Sequence, residues 1–194
     1  MKRTEYERKF EKLHYRKQKR VHKLEQLEKK ILDFSGLSLE KNEIQIFDVP
    51  LYDDQNNYIH TIACGDVKNP PLLMVHGYAG AAVYFYLCFK ELAKKFRVYA
   101  IDFIGHGASK RSKFDITGTK ESEEYICEKL ELWRITMRIQ KMHILGHSLG
   151  GFYIGLYTLK YPDRIMQAYF VSSAGFSRAV SNKMLRKNNA DDIG

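Results

Sequence analysis

Two hydrophobic rhythms divide this chain. Over residues 1–34 apolar side chains recur at heptad spacing. Phe10, Lys17, Leu24 and Ile31 fall at one position and Tyr6, Leu13, Arg20, Leu27 and Phe34 at the other, seven of the nine apolar. That spacing predicts one long amphipathic helix, ended by Ser35-Gly36. Lys17 and Arg20 interrupt the stripe and argue against a tight two-stranded coiled coil. From Ile44 the pattern shortens to strands: Ile44–Tyr52 and Tyr58–Ala63 flank a polar turn and predict a hairpin. Beyond Asn69-Pro70-Pro71, apolar strands alternate with helical stretches. The strands are Leu72–His76, Arg97–Asp102, Met142–Leu145 and Ile165–Ser172; the helices are Ala82–Lys95, Glu121–Arg138 and Leu149–Tyr161. In the second helix Ile126, Leu130, Trp133 and Met137 share one face. Strands that are apolar throughout and separated by helices predict an α/β fold with a mostly parallel sheet covered on both faces. Ended after its sixth strand, such a sheet leaves an apolar edge. Periodicity fades from Ser177. The expected organisation is a basic amphipathic helical extension over 1–35, an α/β domain over 36–176 and a polar tail over 177–194.

Charge sharpens the reading of the first segment. Residues 1–30 hold twelve Lys or Arg against five Glu, so they supply +7 of the net +9. A basic amphipathic helix fits either packing on its own domain or contact with an anionic membrane or lipid-droplet surface through residues 1–34. No nucleic-acid motif accompanies it, and no nucleic-acid partner is expected. No apolar run is long enough to span a bilayer, and the N-terminus is charged where an export signal is apolar. Cys64, Cys88 and Cys127 are scattered and odd in number, which predicts free thiols of a cytoplasmic protein and neither disulfide nor zinc site. No metal and no cofactor is expected.

The chemistry sits at strand ends. Met142–Leu145 runs into Gly146-His147-Ser148-Leu149-Gly150-Gly151 and directly into a helix, the Gly-x-Ser-x-Gly elbow that lifts a serine hydroxyl clear of a sheet. Ser148 is therefore the candidate nucleophile, with Gly146 and Gly150 leaving room across the turn. In such sites one oxyanion donor is the backbone N–H after the nucleophile, here Leu149. The second comes from the loop after the earlier strand, here Tyr78 within His76-Gly77-Tyr78-Ala79-Gly80, where His76 and Gly77 support the turn. Asp102 and His106, in Asp102–Ser109, read as structural because they precede the elbow helix. His147 and His143 read as packed core histidines. All seven histidines precede Ser148, and a serine needs an adjacent base to become nucleophilic. No acid and no histidine of a triad is recognisable in this chain.

The three turns, in this order, resemble the α/β-hydrolase superfamily over roughly Ile44 to Gly175, the first two-thirds of that fold. Trp133-Arg134, Lys141–Phe152, Leu159–Arg164 and the helix segment Glu25–Leu32 look like its lipid-metabolic branch. That branch contains the N-acylphosphatidylethanolamine lipase/lysophospholipase and the lipid-droplet coactivator of triglyceride lipase. The coactivator has asparagine where this chain keeps Ser148. The resemblance thus implies a serine hydrolase of lipid acyl or other carboxylic esters, cytosolic or peripheral at membranes and lipid droplets. The family carries its acid, its histidine and an H-x-x-x-x-D element linked to lysophosphatidic-acid acyl transfer in its last third, and none of these is matched here. A C-terminally truncated member, its lid starting near Phe176, is the expectation. The alternatives are a non-catalytic lipid-surface scaffold or lipase coactivator, and a lysophosphatidic-acid acyltransferase-like protein of lipid homeostasis.

Overall fold

Period-two strands and period-3.6 helices assemble into a three-layer sandwich in the computed structural model, which describes residues 23–53 and 56–175. Most of the N-terminal stripe, two residues of the hairpin turn and the expected lid start at Phe176 with its tail lie outside the described residues. The strands are β1 (Ile44–Pro50), β2 (Tyr58–Cys64), β3 (Pro71–Val75), β4 (Arg97–Ile101), β5 (Met142–His147) and β6 (Ile165–Val171). They form one sheet in the order β1-β2-β4-β3-β5-β6. β2 runs antiparallel to β1 and β4, whereas β4, β3, β5 and β6 are mutually parallel. Residues 23–32 are helical (α1). They are followed by α2 (Tyr86–Ala93), α3 (Thr119–Thr136) and α4 (Leu149–Lys160).

Alternation along β3 shows why both faces are covered. Leu73 and Val75 join Leu130 and Trp133 of α3 and Ile154 and Tyr157 of α4 in one core. Leu72 and Met74 point the other way, to a second core with Leu32 of α1 and Phe89 of α2. Each such side chain stabilises the fold by roughly 1.5–3 kcal/mol on burial. Polar ties register the layers. Trp133 Nε1 donates to Thr61 Oγ1 at 3.1 Å. The Tyr157 hydroxyl of α4 donates to Glu131 of α3 at 2.6 Å. Lys129 of α3 holds Asp53 of the hairpin turn at 2.9 Å. Burial would raise the Asp53 carboxyl, but the Asn57 amides and Lys129 outweigh it and hold it down to about 2.

Two elements depart from the pattern-based expectation. The helix expected over Ala82–Lys95 is divided: a 3-10 turn at Ala82–Phe85 precedes α2. Its entry is pinned to the sheet because the Ala82 N–H donates to Asp102 Oδ1 at 2.6 Å. The second departure is α1. The heptad residues Leu24, Leu27 and Ile31 of α1 and Phe34 of the 3-10 turn after it are 40%, 45%, 36% and 76% exposed, whereas Leu32, outside the heptad, is fully buried. The helix docks on the side carrying Leu32 and Glu28, four residues apart and therefore on one face. At the sheet's outer strand, Met166, Phe170 and Val171 of β6 are exposed. No described helix is long and apolar enough to cross a membrane.

Candidate active site

The turn between β5 and α4 carries the strained residue expected of it. Ser148 has φ 52° and ψ −118°, a conformation that ordinary side chains rarely adopt. Three backbone bonds hold it there. The Ser148 N–H donates to Val171 O of β6 at 3.1 Å, and Ser148 O accepts the N–H groups of Gly151 at 3.0 Å and Ala174 at 2.9 Å. The flanking glycines are needed for space. A Cβ at Gly146 would stand 2.5 Å from Gly150 O, and one at Gly150 only 2.3 Å from Val75 O.

The loop after β3 closes against this turn. A Cβ at Gly77 would lie 2.9 Å from Ser148 Cβ, so Gly77 brings the loop into contact with the serine. The Gly80 N–H closes the turn by donating to Gly77 O at 3.1 Å. Tyr78 sits at its tip with an 81% exposed side chain. Leu149 is the first residue of α4, so its N–H has no intrahelical acceptor.

Each histidine of this region now has a place. His76 is buried, accepts the Phe103 N–H at Nε2 (3.1 Å) and donates from Nδ1 to Gly77 O (2.7 Å). Burial lowers its pKa below the usual range, and the bond to Phe103 needs a bare Nε2, so the ring is neutral. Both nitrogens are engaged, and neither can serve Ser148 without breaking the loop. His106 packs edge-on against His76 at 5.3 Å. Asp102 is also committed: its two oxygens accept the Ala82 and Ala108 N–H groups, each at 2.6 Å. Its carboxylate is the brace of two loops.

The core assignment of His147 is corrected: it is exposed at the end of β5, where the strand leaves the helix layers. Its Nδ1 would stand 3.3 Å from a Cβ on Gly77, beside the mouth of the site. His143 is likewise half-buried rather than core, flanked by the rings of Phe96 at 5.2 Å and Tyr169 at 6.1 Å. Among the described residues no histidine hydrogen-bonds Ser148 Oγ.

Sequence reasoning missed one charged cluster altogether. His60 is 5% exposed and bonds Asp48 through Nδ1 at 2.7 Å and Glu28 of α1 through Nε2 at 3.0 Å. Burial would depress this imidazole, yet the two carboxylates prevail and push it up to about 10. A signal existed, since Asp48 and His60 are direct cross-strand partners in the hairpin. Glu28 could not have been assigned to them from spacing. The thiols are free, and burial pushes Cys64 up to about 12.

A mostly parallel sheet with a strained serine between strand and helix, faced by a glycine-lined loop, defines an α/β protein of the serine-elbow type. Residues 70–190 match the alpha/beta hydrolase fold family, and the chain belongs to it. It is 41% identical over 106 residues to the 1-acylglycerol-3-phosphate O-acyltransferase ABHD5 of Rattus norvegicus, covering 55% of this chain and 30% of that protein. It is 35% identical over 128 residues to the (Lyso)-N-acylphosphatidylethanolamine lipase of Homo sapiens, covering 65% of this chain and 37% of that protein. The crystal structure of naproxen esterase from Bacillus subtilis superimposes with a TM-score of 0.66 at 23% identity, over 86% of this chain and 54% of that one. The chain thus spans about a third of the length of these curated relatives.

Proposed function

We propose that this chain carries the nucleophile and the oxyanion donors of a serine hydrolase acting on acyl esters of lipids. The observation that carries the proposal is the backbone of Ser148, at φ 52° and ψ −118° between β5 and α4. Strain of this kind is retained where a side chain must be presented in one direction. In this reading Ser148 Oγ attacks the acyl carbonyl carbon, and the Leu149 and Tyr78 N–H groups receive the developing oxyanion. The alcohol then departs, and water cleaves the acyl-enzyme. Each donor lowers the barrier by about 3 kcal/mol in comparable sites. The proton on Oγ needs a base that the described residues do not hold beside it. The lipid substrate rests on relatives whose names specify acyl transfer to an acylglycerol phosphate and lipolysis of an N-acylphospholipid. A fluorophosphonate ester tests the nucleophile: labelling that is slow for want of an adjacent base, disappears in Ser148→Ala and survives in His147→Ala is expected. Equal labelling of wild type and Ser148→Ala would remove the proposal.

A second reading, a lipid-surface protein that needs no turnover, is favoured by α1. The exposed Leu24, Leu27, Ile31 and Phe34 form an apolar stripe just after the strongly basic residues 1–22, the combination that binds anionic lipid surfaces. Flotation with anionic vesicles, lost on Leu27→Glu and absent with zwitterionic vesicles, is the expected result. Equal flotation of Leu27→Glu excludes the stripe.

A further inference from the structure

At the end of the sheet opposite Ser148 lies a hollow of about 710 Å³ whose walls carry Arg97, Arg138, Lys141 and Arg164 and no carboxylate. We infer that this hollow binds an anion bearing several phosphate groups, either free in solution or presented as a lipid headgroup. The inference is independent of the reading of Ser148. Lys141 precedes β5 and the serine follows it, about 20 Å away at roughly 3.3 Å per residue.

Topology gathers the charge. Arg97 opens β4, Lys141 immediately precedes β5, Arg164 immediately precedes β6, and Arg138 stands in the loop between α3 and β5. The strand order β4-β3-β5-β6 therefore sets these cations along one end of the sheet, across three strand spacings or about 14 Å. A single phosphate cannot touch all of them, whereas a chain or ring of phosphates can. Residues 31–194 carry only +2 of the net charge, the total of +9 less the +7 of residues 1–30, so four cations in one hollow are a local excess.

The cations are held in place without being neutralised. Among the described residues no carboxylate pairs with Arg97, Arg138 or Lys141. Glu131 comes within 3.9 Å of Arg164 Nε, but its oxygens already accept two bonds from Arg134 and one from the Tyr157 hydroxyl. Arg97 is anchored by donating to Gly65 O at 2.8 Å and Gln45 Oε1 at 2.7 Å, neutral acceptors that leave its charge uncancelled. The loop carrying Arg138 and Lys141 is tied to α3: Ile139 O accepts from the Arg134 guanidinium, and the Ile139 N–H donates to Arg134 O at 3.1 Å. Arg138 itself sits at φ 55°, where glycine or asparagine is the ordinary occupant after a helix. An arginine there costs stability and sets a guanidinium on the wall of the hollow. Three of the four cations are arginines, whose planar forks match phosphate oxygens in pairs.

The test titrates tripolyphosphate and inorganic phosphate into the full chain by calorimetry. Tripolyphosphate is expected to bind about tenfold more tightly or better, and Arg138→Gln with Lys141→Gln to remove about tenfold or more of that affinity. Lys41→Gln with Lys160→Gln removes the same charge from exposed positions elsewhere and should change it by less than about twofold. Arg138→Gly should weaken binding while raising the urea midpoint, a split that a purely structural arginine does not give. Zwitterionic vesicles carrying a bisphosphorylated inositol lipid distinguish the two sources. Flotation that is lost with the Arg138 and Lys141 pair makes the anion a headgroup. Flotation absent or unchanged, with tripolyphosphate still dependent on the pair, makes it soluble. Tripolyphosphate no tighter than phosphate, an equal loss in the control pair, or binding indifferent to Arg138 and Lys141 overturns the inference; the last result assigns the polyanion to the basic residues 1–22.

Discussion

The elbow and α1 were equally conspicuous as patterns, yet they relate to the finished molecule in opposite ways. At the elbow the residues that mark the turn are neighbours in sequence, although the atoms that crowd Gly150 belong to β3 and the loop after it. Glycines two positions either side of Ser148 remove atoms that would meet backbone carbonyls at 2.5 Å and 2.3 Å, so the pattern specifies the turn itself. In α1 the pattern specifies a helix with one apolar stripe, and the molecule docks the other side. A stripe says that a helix has two faces; which of them meets the protein depends on what the protein offers. Here it offers a pocket for Leu32 and a charged imidazole for Glu28.

The comparison breaks most easily at the elbow. Gly150→Ala should cost about 4 kcal/mol in urea-induced unfolding, because the new methyl group meets Val75 O and His76 O, atoms of β3 and the following loop that cannot move independently. An unchanged midpoint would show that the turn relaxes and that its glycines are not required for space.

A smaller effect separates the two faces of α1. Leu32→Ala should lose about 3 kcal/mol, the usual result of emptying a fully buried leucine site. Leu27→Ala, on the stripe, should change stability by less than about 0.5 kcal/mol. Equal losses for both would mean that the stripe is packed after all.

The smallest effect concerns the clamp that Asp48 and Glu28 form on His60. The folded His60 is raised to about 10 from an ordinary 6.5. Its contribution is therefore complete below about pH 6.5 and is lost as pH rises through about 10. Glu28→Gln, which leaves Asp48 in place, should cost about 2 kcal/mol at pH 6 and flatten this dependence. Parallel pH profiles for wild type and variant between pH 6 and 10.5 would exclude Glu28 from the clamp.

Legibility followed the range of the interactions. The strand and helix alternation that builds the sheet could be read because each strand carries its own burial pattern. Leu72 to Val75 are apolar at every position, which is possible only with a core on each face. Ser148, Gly146 and Gly150 were legible for the same reason. Gly77 could be placed in a turn but not against the serine, since that contact joins strands far apart in sequence. His147 was misread because burial in a strand fades where the helices above it stop, and no local pattern marks that point. Asp102 was expected to be structural, but the loops it braces became visible only with Ala82 and Ala108 beside it.

By itself the amino-acid order determined the alternation of strands and helices, the glycine-flanked turn at Ser148 and the concentration of positive charge in the first thirty residues. Each is written in neighbours a few positions apart, where sterics and periodicity act directly. Only the tertiary structure decided which face of α1 turns outward, that Glu28, Asp48 and His60 share one buried charge cluster, and that Gly77 closes against Ser148. Those outcomes depend on chain segments brought together by burial, and separation along the sequence carries no record of that.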